Sequence, residues 1–304
     1  MQKNIHIEFE NPLGIFNLDD FSYLYDDVEL KRIAENASLY FILQRPCLIF
    51  RNLNYNSKLI KGEIVQPYTG NYIEFDEIMN IELHLCYNKS LKDDNNLNNF
   101  IDVIIIKIPE EKKNTKLLTP DTILQQYSNN NWQLNLNGEI NKFLEFDIKY
   151  IGHSVKQFIG KRIKNHSNIQ RILTTTLPFQ KGMQISKEIC ILLLEITNIS
   201  GLNYISPNDL LEVKNLLKLP NNESIYYDAE KAYINFFSKS NDGSLENKDI
   251  YNSYPKGKNG LFDEKYENII YSIKDDIILK HGNQQLTNKD VIYVNRKMKT
   301  VEKK

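Results

Sequence analysis

Cysteine is scarce in this 304-residue chain, and its spacing argues against both zinc ribbons and disulfide scaffolds. Cys47, Cys86 and Cys190 stand far apart among apolar neighbours, and no CxxC pair occurs. Closely spaced cysteine pairs are typical of structural zinc sites and of small disulfide-stabilised domains. We therefore expect three buried free thiols in a reducing compartment.

The chain also has no hydrophobic run long enough for a transmembrane helix. Its longest apolar runs, such as 39–43 and 189–194, are far shorter than the about 20 residues that cross a bilayer. Residues 1–11 carry charges and asparagine where a secretory signal has an apolar core. We expect a cytoplasmic protein without a membrane partner.

Glycine-rich phosphate loops and a strong net charge are missing as well. The 12 glycines form neither a GxGxxG nor a GxxxxGKS/T pattern, which argues against a nucleotide-driven motor. The formal charge is −1, from 38 basic and 39 acidic side chains. Any affinity for nucleic acid must therefore come from a local basic patch.

The first hundred residues have the patterns of β-strands. Apolar and polar residues alternate in 5–9 and 81–85, which predicts half-buried strands. The more continuous apolar stretches 47–50 and 101–108 predict central strands. One stripe of apolar residues at helical spacing predicts a helix over 26–44.

Polar connectors predict where one domain ends and the next begins. A charge cluster at 109–114 and a run of serine and asparagine at 128–131 indicate a boundary between residues 109 and 132. We expect an α+β protein with a β-rich N-terminal domain over 1–115 that binds a substrate or partner. A second domain over 132–304 ends in short closing strands.

The stretch 148–187 is basic throughout. It holds eight lysines and arginines and not one aspartate or glutamate. Such a patch supplies phosphate contacts, the sequence-independent part of nucleic-acid affinity. The side chains that we expect to bind nucleic acid are Lys149, Lys156, Lys161, Lys164 and Arg171. The alternative is a solvated basic face that binds no ligand.

A short motif lies inside this basic stretch. The tripeptide Tyr-Ile-Gly at 150–152 ends a predicted strand, and Arg162 and His166 follow at a spacing that places them on one face of a helix. This arrangement resembles the second half-motif of the GIY-YIG nuclease family, over about residues 132–260. The first half-motif, Gly-Ile-Tyr, is not found shortly before it, because 137–144 contain no tyrosine.

The resemblance also implies a metal ligand on a later helix. The family carries there a glutamate that binds one divalent ion, and Glu230 stands in a similar pattern within a helix predicted over 222–237. A further helix is predicted before it, over 207–217. The alternative for Glu230 is a surface carboxylate paired with Lys231 or Lys239.

By this resemblance the second domain is a small mixed sheet flanked by helices, and it acts as an endonuclease that cleaves phosphodiester bonds with Mg²⁺ or Mn²⁺. The catalytic residues it implies are Tyr150, Arg162, His166 and Glu230. Arg162 would bind phosphate, while Tyr150 or His166 would deprotonate or orient the attacking water. Glu230 would hold the metal ion.

DNA is the expected substrate ahead of RNA, and the N-terminal domain is expected to select the substrate or bind a protein partner. The resemblance suggests a role in a phage, a mobile element or a defence system. Two alternatives stay open. One is a catalytically inactive nucleic-acid-binding protein with the same fold, and the other is a subunit that a protein partner regulates.

Overall fold

The computed structural model describes residues 3–17, 28–55, 59–67, 69–78, 84–87, 104–107, 115–128, 134–155, 157–164, 171–172, 187–203, 219–240, 245, 254, 261 and 266–304. Within these ranges the chain is a strand-rich α+β protein with few helices and a large mixed sheet. It forms two compact units. Unit 1 comprises residues 1–44, 146–178 and 189–304, and unit 2 comprises 45–145 and 179–188.

The strands and helices of the described residues follow in chain order. The strands are β1 (Lys3–Glu10), β2 (Phe16–Asn17), β3 (Leu39–Pro46), β4 (Ile49–Tyr55), β5 (Leu59–Val65), β6 (Tyr72–Ile78), β7 (His84–Tyr87), β8 (Ile104–Lys107), β9 (Thr115–Leu118), β10 (Leu134–Gly138), β11 (Glu145–His153), β12 (Lys187–Asn203), β13 (Asn268–Ile273), β14 (Ile278–His281), β15 (Gln284–Leu286), β16 (Val291–Asn295) and β17 (Thr300–Lys303). The helices are α1 (Val28–Ala34), α2 (Pro120–Ser128), α3 (Ile159–Lys164) and α4 (Asn222–Ser238), with a 3₁₀ turn at Ile140–Phe143.

Unit 1 is built on a ten-stranded mixed sheet. Its strand order is β15-β14-β11-β3-β12-β1-β13-β16-β17, and β2 pairs with β12 beside this path. β1 is antiparallel to β12 and parallel to β13, whereas β3 is antiparallel to β11. The centre of the sheet therefore brings together strands from the beginning and the middle of the chain.

The central strand β3 is covered on both faces. Leu39, Phe41 and Leu43 belong to the large apolar cluster that also contains the inner side of α4. Tyr40 and Ile42 point to the opposite face, where they join buried residues of α1 and α3. Successive residues of a strand point to opposite faces, so a strand buried on both faces must be apolar at every position.

This double burial explains where the predicted helix over 26–44 differs from the structure. The helix α1 ends at Ala34, and the residues from Leu39 onward form β3. A continuous apolar run fits a buried helix and a doubly buried strand equally well by periodicity. The run holds aromatic and β-branched residues, which favour the strand.

Several other predicted elements agree with the structure. Residues 5–9 lie in β1, the tripeptide 150–152 lies one residue before the end of β11, and the helix predicted over 222–237 is α4. The helix predicted over 207–217 lies outside the described residues, as does most of the strand predicted over 81–85.

Unit 2 contains two smaller antiparallel sheets. One has the order β10-β6-β5-β4 and the other the order β7-β8-β9. One face of the four-stranded sheet packs its apolar side chains, among them Phe50, Ile64 and Phe75, into a cluster that includes Ile123 and Leu124 of α2. Unit 2 thus has a core of its own.

The boundaries of the two units differ from those of the predicted domains, 1–115 and 132–304. β1 and β3 belong to unit 1 because their partners β11, β12 and β13 lie far along the chain. The expected connector over 109–132 contains β9 and α2 of unit 2. Local composition carries no sign of such distant strand pairing, which is why the polar stretch was a poor guide to the boundary.

A buried polar network fixes the helix α4 in unit 1. Asp228 is 1% exposed, and its Oδ2 accepts hydrogen bonds from the hydroxyls of Tyr254 at 2.8 Å and Tyr271 at 2.6 Å. Its Oδ1 accepts from Nη2 of Arg296 at 2.8 Å. The helix begins after Asn221, whose side chain accepts from the Ser224 N–H at 2.7 Å.

Replacing Asp228 with alanine should destabilise the protein strongly. The change removes the carboxylate that balances the buried Arg296 guanidinium, and breaking a buried ion pair costs about 3–5 kcal/mol. Urea unfolding measures the loss. The control Asp276→Ala removes an exposed carboxylate that contacts Asn288 and should stay within about 0.5 kcal/mol of the parent. Similar unfolding free energies for both variants would contradict this account of α4.

Candidate active site

Two tyrosines from distant parts of the chain meet on one face of the sheet in unit 1. Tyr40 of β3 and Tyr150 of β11 have ring centroids 5.9 Å apart and planes inclined by 28°. In the antiparallel ladder Tyr40 lies opposite Gly152, and Ile42 lies opposite Tyr150. The two rings are therefore neighbours because their strands are paired.

A bulge in β11 turns Tyr150 toward this face. The register with β3 shifts between Ile148 and Tyr150. Ile148 and Ile151 pack into the cluster on the α4 side, whereas Tyr150 packs with Tyr40 on the α3 side. An added residue in a strand reverses the face of the residues that follow, and bulges often orient side chains at functional sites.

Gly152 makes room for both rings. A Cβ atom at this position would lie 2.6 Å from Cζ and from the hydroxyl oxygen of Tyr40, and 2.7 Å from Cε1 of Tyr150. These distances are far below van der Waals contact, so only glycine fits. The packing of the two tyrosine rings thus explains why the Tyr-Ile-Gly tripeptide ends in glycine in this fold.

Both tyrosines are held in the protonated form. Burial raises the pKa of Tyr40 well above its ordinary value, the neighbouring Tyr150 hydroxyl raises it further, and the Arg162 charge opposes the rise. Burial likewise raises the pKa of Tyr150, followed by the Glu230 carboxylate, while Tyr40 and Arg162 oppose it. As neutral phenols near neutral pH, these groups donate hydrogen bonds more readily than they accept protons. This environment disfavours Tyr150 as the base.

The charge of Arg162 acts on the pKa values of both tyrosines, which places this residue near the pair. Arg162 is an exposed residue of α3, and the helix is anchored by Ile159 and Ile163, which are buried in the cluster that holds both tyrosines. Arg162 therefore presents a charge to solvent beside two buried phenols. The Tyr40 hydroxyl is buried beside Tyr150 and Arg162.

Glu230 contacts a histidine that the motif does not include. Its Oε2 lies 2.8 Å from Nδ1 of His153, the last residue of β11. Glu230 is 6% exposed, so the carboxylate is not an ordinary surface group. The expected alternative partner Lys239 donates instead to the carbonyl oxygen of Val301.

Of the predicted set, Tyr150 and Arg162 lie on the α3 face of the sheet, whereas Glu230 belongs to α4 on the opposite face and acts on Tyr150 through its charge. His166 and Lys156 lie outside the described residues, and so does the side chain of Lys164. Of the residues expected to bind nucleic acid, Lys161 and Arg171 are exposed and Lys149 is half-buried. Tyr40 and His153 are residues of the site that sequence reasoning missed. Two signals could have found them. Tyr40 lies in a stretch that is apolar at successive positions, and His153 is a polar residue directly after the Tyr-Ile-Gly tripeptide.

The donor set suits a divalent ion bound mainly by water. In the described ranges, no three His, Cys, Asp or Glu side chains lie together as they would in a metal cage made of protein ligands. Mg²⁺ commonly takes one or two carboxylates and keeps several waters. The carboxylate of Glu230, oriented by a hydrogen bond from His153, fits that kind of coordination.

A concave surface lies in unit 2, on the polar face of the sheet β10-β6-β5-β4. It has a volume of about 470 Å³ and is lined by Asn52, Asn54, Lys61, Gly62, Glu63, Glu74, Phe75, Asp76, Asn135 and Asn137. Three carboxylates and one lysine give this surface a negative balance. It is therefore poorly suited to phosphate, in contrast to the exposed basic residues of unit 1.

Comparison of the chain with protein-family models, curated proteins and solved structures finds no match. No helix in the described ranges has the length and apolar character needed to span a bilayer.

Replacing Gly152 with alanine should separate the two tyrosine rings. The added methyl group has no space beside Tyr40 and Tyr150, and overpacking of this kind costs about 1–3 kcal/mol. Urea unfolding and near-UV circular dichroism report the loss of stability and the change in tyrosine packing.

Gly70→Ala is the matched control. A Cβ atom there would have no heavy atom within 4 Å, so the change alters no side-chain packing and carries only the backbone strain of a positive φ of 73°. The control should therefore keep a near-UV spectrum like that of the parent. An unchanged spectrum in Gly152→Ala would contradict the packing described here.

Proposed function

We propose that unit 1 is a metal-dependent endonuclease of the GIY-YIG type that cleaves phosphodiester bonds of nucleic acid, with DNA as the expected substrate. The observation that carries the proposal is the pairing of Tyr40 with Tyr150 on adjacent antiparallel strands. In the proposal, the segment 38–40 (Ser-Leu-Tyr) stands in for the family's first half-motif. Residues 45–145 of unit 2 then lie between the two half-motifs.

The order of elements supports this assignment. The strand that carries Tyr40 lies between β11 and β12 in the sheet. The helix α3, which bears Arg162, follows the Tyr-Ile-Gly strand, and α4, which bears Glu230, follows β12 along the chain. This sequence of Arg-bearing helix, further strand and Glu-bearing helix is the one that the resemblance implies.

Each residue of the site has a task that its environment suits. The exposed guanidinium of Arg162 binds a phosphate through two parallel hydrogen bonds and keeps its charge at any pH of interest. The protonated hydroxyl of Tyr150 donates a hydrogen bond to a phosphate oxygen or orients a water molecule, and the fully buried Tyr40 packs against its ring. Lys161 and Arg171 contact the neighbouring backbone phosphates.

Glu230 holds the divalent ion in this proposal. When bound, such an ion neutralises charge on the phosphate and stabilises the departing oxygen. Because the environment of Tyr150 favours its protonated form, removal of the proton from the attacking water falls to His166. An imidazole is the easier base near neutral pH.

The burial of the tyrosines favours a second candidate function. Tyr40 is fully buried and Tyr150 is only 6% exposed, so the tyrosine pair offers little surface to a substrate. A protein with this arrangement that binds nucleic acid through its basic residues, without cleaving it, is the alternative. It differs from the nuclease in turnover alone.

Plasmid nicking and cleavage of single-stranded DNA in Mg²⁺ or Mn²⁺ test the proposal, with binding measured in parallel. Arg162→Ala should lower the rate about 10²–10³-fold if it resembles loss of one oxyanion donor. Glu230→Gln should abolish metal-dependent turnover while binding survives, because the amide keeps the shape of the side chain but loses its charge.

The controls are Glu223→Gln, an exposed glutamate in the first turn of the same helix, and Arg32→Ala, an exposed arginine of α1. Both should cleave like the parent. Unchanged cleavage by Glu230→Gln would assign the activity to another site. A parent protein that binds DNA but never cleaves it would support the second candidate.

A further inference from the structure

We propose that His153 is a positioning residue for Glu230, which holds that carboxylate at the place where a divalent ion binds. The inference rests on the proposed function, since it takes Glu230 as the metal ligand. His153 has no counterpart in the half-motif that the sequence resembles. Its role follows from a hydrogen bond and a ring contact, both made to α4.

The direction of the hydrogen bond is set by chemistry. A carboxylate only accepts, so Nδ1 of His153 carries the hydrogen and donates to Oε2 of Glu230 across 2.8 Å. An ionised carboxylate offers about four lone-pair positions. The hydrogen bond from His153 uses one of these positions and orients the group.

His153 is itself held in place. It ends β11, where it lies opposite Leu39 of β3, and the residue before it is Gly152, against which both tyrosines pack. Its ring lies edge-on to Tyr227, with centroids 4.1 Å apart. Tyr227 and Glu230 are three residues apart on α4 and share one side of the helix.

The contact connects the two halves of the proposed site. Tyr150 and His153 are on the same strand, whereas Glu230 is on α4. The His153–Glu230 hydrogen bond therefore ties the carboxylate to the strand that carries Tyr150, from the face of the sheet opposite to the tyrosine rings. Glu230 is almost fully buried, and a buried carboxylate needs such a partner to offset the cost of leaving water. Loss of the hydrogen-bond partner of a metal ligand typically weakens metal affinity or activity about 10–100-fold.

Two substitutions separate positioning from packing. His153→Phe keeps an aromatic ring against Tyr227 and removes the donor. His153→Asn keeps an N–H donor near the position of Nδ1 and removes the ring. Mn²⁺ binding to the full chain, followed by electron paramagnetic resonance without nucleic acid, gives a readout that does not depend on cleavage.

The proposal predicts that His153→Phe weakens Mn²⁺ binding about 10–100-fold, while His153→Asn stays within a few-fold of the parent. The matched control His6→Phe alters another half-buried strand histidine, which contacts Ser272 at 2.9 Å, and should leave Mn²⁺ binding unchanged. Parent-like Mn²⁺ affinity in His153→Phe overturns the proposal. So does equal weakening in both His153 variants, because a packing role would then explain the result.

Cleavage kinetics complete the test and distinguish its failure from that of the proposed function. With an active parent, His153→Phe should lower kcat and leave KM for DNA unchanged, and His153→Asn should recover most of kcat. If Mn²⁺ binding follows the prediction but the parent never cleaves DNA, the nuclease function fails and the positioning role stands. If the parent binds no Mn²⁺, the positioning role is refuted with the metal site.

Discussion

The packing of Tyr40 and Tyr150 against the bare backbone of Gly152 is the contact on which the centre of unit 1 depends. It requires that β3 and β11 pair in one register, because a shift by one residue would turn a tyrosine to the other face. It also requires the bulge after Ile148, without which Tyr150 would point toward α4. The close contact at this one glycine is therefore compatible only with this strand pairing, this register and these orientations of the two tyrosine side chains.

The remainder of the site is arranged around this contact by the two helices that cover the sheet. α3 is anchored on the tyrosine side by buried isoleucines and presents Arg162 to solvent. α4 is anchored on the other side, where the Asp228 network fixes it and the bond from His153 reaches Glu230. The polar residues of the site therefore lie at the edges of two apolar clusters, which anchor the helices that carry Arg162 and Glu230.

Local patterns predicted those parts of this arrangement that depend on neighbouring residues. The alternation in β1, the Tyr-Ile-Gly tripeptide near the end of β11 and the helix α4 with Glu230 follow from short windows of sequence. β3 was misread as helix because a strand buried on both faces has no period-two signal. Tyr40 was missed because its partner Tyr150 is reached only across residues 45–145, and His153 because its partner Glu230 lies on a helix far along the chain. Contacts between distant segments are the information that a single sequence does not carry.

The central claim is that Tyr40 and Tyr150 act as one unit in phosphodiester cleavage, and a double-mutant cycle tests it most directly. The cleavage rate on DNA with Mn²⁺ is measured for the parent, Tyr40→Phe, Tyr150→Phe and the double variant. Residues that act together show strongly non-additive losses. The account predicts that the double variant is about as slow as the slower single variant. Losses that multiply, as expected for two independent side chains, would contradict it.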